Sequence, residues 1–67
     1  MKQKLFYVET GQGCGIKKGY DEDSVYEATL RQVGTDTGVS LVREATEDDI
    51  SWVRGMGGYV PTIKEEV

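Results

Sequence analysis

The sequence has no histidine and only one cysteine, Cys14. Without histidine there is no Ser-His-Asp or Cys-His arrangement and no imidazole general base. With one cysteine there is no internal disulfide. The two shortages together leave no ligand set of the histidine and cysteine type for a metal. Cys14 would act as a nucleophile only if Lys17 or Lys18 lowered its pKa; a small structural residue is the simpler reading. Carboxylates are numerous, yet none lies in an apolar run that would raise its pKa for acid catalysis. The chain therefore reads as non-enzymatic, with no catalytic residue, no cofactor and no metal.

Long hydrophobic runs are also missing. The run Leu5-Phe6-Tyr7-Val8 is far too short for a signal peptide, and no segment approaches the roughly 18 apolar residues of a membrane span. A cytoplasmic protein without membrane association is expected. Positive charge is in deficit, with 8 Lys and Arg against 12 Asp and Glu and a net charge of −4. General nucleic-acid binding needs the opposite balance. A chain of 67 residues makes one domain that buries only about 60% of its unfolded surface. Lacking a disulfide or a metal, such a domain is expected to gain stability as a homo-oligomer.

What is present is organised around Ala45 to Tyr59, which holds the only tryptophan and the clearest helix start. Thr46 is a good N-cap, and Asp49 three residues on completes a variant of the capping box. Glu47, Asp48 and Asp49 fall in the first turn, where carboxylates favour the helix dipole. Ile50, Val53 and Met56 share one side, with Trp52 at its edge and expected in the core. Gly55, Gly57 and Gly58 end the helix.

Earlier in the chain, Lys2 to Glu9 reads as a strand with Phe6 and Val8 on one side and Leu5 and Tyr7 on the other. Apolar residues on both sides imply that both faces are covered, one by the helices and the other by a second subunit. Thr10 to Gly15 alternates three glycines with other residues. It reads as a hairpin turn around Gly11 and Gln12 leading into a strand from Gly13 to Tyr20, or as a cradle of backbone amides for an anion. Asp21 to Val33 reads as a helix capped by Asp21 or Ser24, with Val25, Tyr26, Ala28, Leu30 and Val33 forming a wide apolar arc. After the turn Thr35–Gly38, Val39 to Glu44 reads as a third strand, and Tyr59-Val60 as a brief extension.

These elements give a β-β-α-β-α order and an α+β fold: a small three-stranded, mainly antiparallel sheet with two helices on one face. Residues 1–60 form the domain and residues 61–67 a charged, flexible tail. Two sets of candidate site residues follow. Gly11, Gln12, Gly13, Gly15, Lys17, Lys18, Arg54 and Tyr59 combine glycine loops with positive charge and suit an anionic ligand such as a nucleotide. Asp21, Glu22, Asp23, Glu47, Asp48 and Asp49, with Tyr7 and Tyr20, suit a protein interface against a basic partner surface.

Three segments, KLFYVETGQG (4–13), VYEATLRQVG (25–34) and ATEDDISWVRGMGGY (45–59), together resemble short accessory proteins carried by phages and prophages of Gram-positive bacteria. The resemblance covers most of the chain and carries over no functional residue. It implies a stoichiometric job: binding a host protein, such as one used in defence, or sequestering a small signal molecule.

Overall fold

A computed structural model describes residues 2–63. Five elements follow in the expected order: β1 (Lys4–Thr10), β2 (Gly13–Gly19), α1 (Glu22–Val33), β3 (Val39–Glu44) and α2 (Glu47–Gly55). The fold is α+β. Its sheet has the order β2-β1-β3, so the first strand of the chain lies in the centre. β1 runs antiparallel to both neighbours, pairing Lys4 with Gly19 and Thr10 with Gly13 on one side, and Phe6 with Glu44 on the other. The register against β3 shifts between Glu9 and Thr10.

The helix ends follow local chemistry. Asp21, in extended conformation, caps α1: its Oδ1 accepts from the Ser24 N–H at 2.7 Å. Gly34 ends that helix with φ +88° and donates to the Leu30 carbonyl at 2.8 Å. α2 opens on the full reciprocal box, with the Thr46 N–H donating to Asp49 Oδ2 at 2.9 Å and the Asp49 N–H donating to Thr46 Oγ1 at 3.2 Å. It closes on a pair of reversed hydrogen bonds, Gly57 N–H to Arg54 O and Gly58 N–H to Val53 O. Gly57 takes φ +79° to allow this, the left-handed C-terminal geometry that glycine favours.

The core consists of two clusters, one on each side of the sheet. Phe6, Val8 and Val25, with Val42 against them, form one under α1. Tyr7, Ile16 and Val53, with Leu5, Ala45, Ile50 and Val60 against them, form the other under α2. Strand alternation places Phe6 and Val8 opposite Tyr7, so the helices cover opposite faces. The expectation of both helices on one face is corrected: the chain forms three layers, helix, sheet and helix. The second apolar face is closed by α2, so it supplies no argument for a second copy of the chain.

Three further expectations change. Trp52 is 62% exposed and Met56 53% exposed, whereas Val53 is 1% exposed. With α2 only nine residues long, Val53 and Ile50 suffice to seat it, and the Trp52 side turns to solvent. On α1 only Val25 and Thr29 are buried, and Tyr26 is exposed, so much of the expected apolar arc lies outside the core. Tyr59-Val60 forms no strand; Val60 packs onto the α2-side core. Of the expected tail, residues 61–63 carry no regular structure and residues 64–67 lie outside the described residues.

Candidate functional site

The register of the hairpin decides which side chains β2 presents to each face. Gly13, Gly15, Lys17 and Gly19 pair with Thr10, Val8, Phe6 and Lys4, and so share the α1 face. Three of those four positions are glycine. At Gly19 the reason is steric: an added Cβ would collide with a Val25 methyl of α1. At Gly13 it is conformational, with φ +130°. At Gly15 there is neither. Its φ is ordinary, and nothing lies within 4 Å of where a Cβ would stand. Glycine inside a strand weakens it, and often marks close approach of a ligand or another backbone.

Above Gly15 is a cleft of about 260 Å³, floored by Gly13 and Gly15, walled by Thr29, Gln32 and Val33 of α1, and rimmed by Tyr59. Lys17 also lines it, and its ammonium donates to Gln32 Oε1 at 2.7 Å. A neutral amide oxygen leaves the charge of Lys17 uncompensated, since the one ion pair among the described residues is Arg43 with Asp49. Thr29 is 2% exposed, and its hydroxyl has no hydrogen-bond partner. Buried hydroxyls are ordinarily satisfied, and an unsatisfied one costs about 1–3 kcal/mol.

On the opposite face the polar groups around Tyr7 are matched to one another. The Tyr7 hydroxyl donates to Glu9 Oε1 at 2.7 Å. That bond, and burial after it, push the phenol well above its usual range. The Arg43 guanidinium lies 4.6 Å from the centroid of the Tyr7 ring and grips both oxygens of Asp49, with Nη2 donating to Oδ1 at 2.8 Å. The Arg43 bond, together with the Thr46 backbone N–H, lowers the Asp49 carboxyl to about 2. The arrangement fastens the first turn of α2 to β3.

The sequence-predicted ligand residues divide accordingly. Gln12, Gly13, Gly15, Lys17 and Tyr59 come together around the cleft, so the hairpin and the loop after α2 meet at one end of the domain. Gly11 sits beside them at the turn, against Thr37. Lys18 pairs with Leu5 and faces α2, and Arg54 is an exposed residue of α2; neither lines the cleft.

The interface candidates also divide. Tyr7 is 7% exposed and belongs to the core, so it offers no contact surface: the alternation that made it half of an apolar pair buried it. Asp49 is held by Arg43 and Thr46, and Asp21 by its cap. Glu22, Asp23, Glu47, Asp48 and Tyr20 remain exposed. Both acidic turns lie at the end of the sheet where β1 begins, on opposite faces.

Thr29, Gln32 and Val33 were not anticipated. The signal was there in Val25, Thr29 and Val33 at four-residue spacing, a hydroxyl in the middle of the stripe that seats the helix. No three His, Cys, Asp or Glu side chains among the described residues gather as a metal site, and no described helix is long and apolar enough to cross a membrane. Compared with family models, with curated proteins and with solved structures, the chain matches none.

Proposed function

We propose that this protein is a non-catalytic binding module that holds one small anionic molecule per chain in the cleft between β2 and α1. The observation that carries this reading is the cleft itself, floored by Gly15 at a position with no steric or conformational need for glycine. The uncompensated charge of Lys17 beside it supports an anion. A job of sequestration agrees with what the resemblance to phage accessory proteins implies.

A ligand that binds only the folded chain raises its melting temperature by mass action, by about 2.7 kcal/mol of stability at a hundredfold excess over Kd. A thermal-shift panel of small carboxylates, phosphates and nucleotides is expected to contain at least one stabilising compound, with one-to-one stoichiometry by calorimetry. A flat response across the panel would overturn the reading.

A second reading is stoichiometric binding of a host protein. The exposure of Trp52, Met56 and Tyr59 favours it, because exposed aromatics anchor protein interfaces. On that reading the panel is silent, and Trp52→Ala abolishes capture of the partner while the fold is kept.

A further inference from the structure

We infer that the ligand of the cleft is a mononucleotide, its base laid over Gly13 and Gly15 and its phosphate at Lys17. This rests on the small-anion reading above and adds the chemical class. Three observations converge on it.

The floor is bare backbone. Gly15 has no steric or conformational need to be glycine, and a missing side chain there leaves a flat bed. Tyr59 at the rim is 80% exposed and offers an aromatic face beside that bed. Stacking platforms of this kind accept any base, because every base has a π-face. The wall is polar and unfinished. The Gln32 amide has its oxygen engaged by Lys17 and its NH₂ group left to donate. A ring with polar edges fits that wall better than a hydrocarbon ring. The Lys17 ammonium has two further protons to give and no carboxylate against it among the described residues. A planar ring with polar edges and an anionic tail is the composition of a nucleotide. The volume of about 260 Å³ lies just under the roughly 300 Å³ where drug-sized pockets begin, which suits one nucleotide unit and not two.

The test uses the full chain, calorimetry and thermal shift. The compounds are adenosine, guanosine and uridine monophosphates, the three nucleosides, ribose 5-phosphate, pyrophosphate and citrate. At least one monophosphate is expected to bind one-to-one, and its nucleoside about tenfold more weakly, from loss of the Lys17 contact. Gly15→Val is expected to fold, since valine suits a strand and the space is open, yet to bind at least tenfold more weakly because its side chain occupies the bed. Tyr59→Ala is expected to weaken binding about tenfold by removing the stack.

If ribose 5-phosphate, pyrophosphate or citrate binds as tightly as every nucleotide, base recognition is overturned and the small-anion reading stands. If no compound binds, both fall. A monophosphate that binds folded Gly15→Val undiminished overturns the placement at the β2 floor.

Discussion

The two faces of this sheet are finished to different degrees. On the α2 face, Tyr7, Glu9, Arg43 and Asp49 are tied to one another, and the apolar residues between them are closed by Val53 at 1% exposure. On the α1 face, Phe6, Val8 and Val25 pack together. Toward the hairpin the helix and strand part over two glycines and a lysine bound only to an amide. The same strands built both faces. A fold this small has little stability to give away, at roughly 3–10 kcal/mol for 67 residues, so a face left unfinished is informative. Where hydrogen bonds close, the residues hold the fold. Where they stay open, a ligand would complete them on the function proposed above.

That contrast predicts opposite signs for substitutions on the two sides. The largest effect is expected at Ile16, 3% exposed under α2. Ile16→Ala should cost about 3 kcal/mol and lower the melting temperature by about 15 °C, read by thermal unfolding followed by circular dichroism. A change of only a few degrees would mean that the α2 face is not closed.

Next comes the ion pair. The Asp49 carboxyl sits at about 2 in the folded protein against an ordinary 3.8. The unfolded chain therefore takes up a proton first as pH falls. The stabilisation is whole above about pH 4 and is lost between there and about pH 2. Arg43→Met removes the main cause of the shift, so acid unfolding should begin at higher pH than in the parent. An unmoved acid transition would show that α2 is held by its apolar contacts alone.

On the α1 face the sign reverses. Thr29→Val replaces an unsatisfied hydroxyl by a methyl group of similar shape and should stabilise the ligand-free protein by about 1 kcal/mol, a rise of about 5 °C. Destabilisation would mean that the hydroxyl is already satisfied. The smallest effect is expected at Trp52. Its replacement by alanine should change stability by no more than about 0.5 kcal/mol, although a buried tryptophan would cost about 3–5 kcal/mol. A loss of that larger size would return Trp52 to the core.

How much of this was legible in the sequence depends on the range of the interaction. Thr46 and Asp49 announce the α2 cap because their partners lie three residues apart. The alternation of Leu5, Phe6, Tyr7 and Val8 announces a strand buried on both sides, because each side chain's direction follows from the pleat. Which helix covers which face depends on how the chain crosses between strands, and nothing local to α1 or α2 encodes that. The misplacement of Trp52 has a similar origin: on a nine-residue helix a shift of one position in the apolar face moves it from core to solvent. Asp49 was visible as an acidic first-turn residue, while its bond to Arg43 required β3 and α2 to be set side by side. The cleft was half legible. Its glycines, Lys17 and Tyr59 stood out by composition, whereas Thr29 counts only once the helix is laid on the hairpin.

The position of β1 has a kinetic consequence. The strand is first in the chain and central in the sheet, so its two edges are filled at very different times. The β2 edge needs only a two-residue turn, and hairpins of that kind close in about 1–10 μs. The β3 edge must wait for Val39–Glu44 to return across the whole of α1, with the loop-closure entropy that such a distance entails. The slow step of folding is therefore expected to be the capture of β3 by a preformed hairpin. Substitutions at the β1–β3 seam, such as Val42→Ala, should slow folding, and those that weaken the β1–β2 hairpin should slow it too, because the hairpin is already formed when β3 is captured.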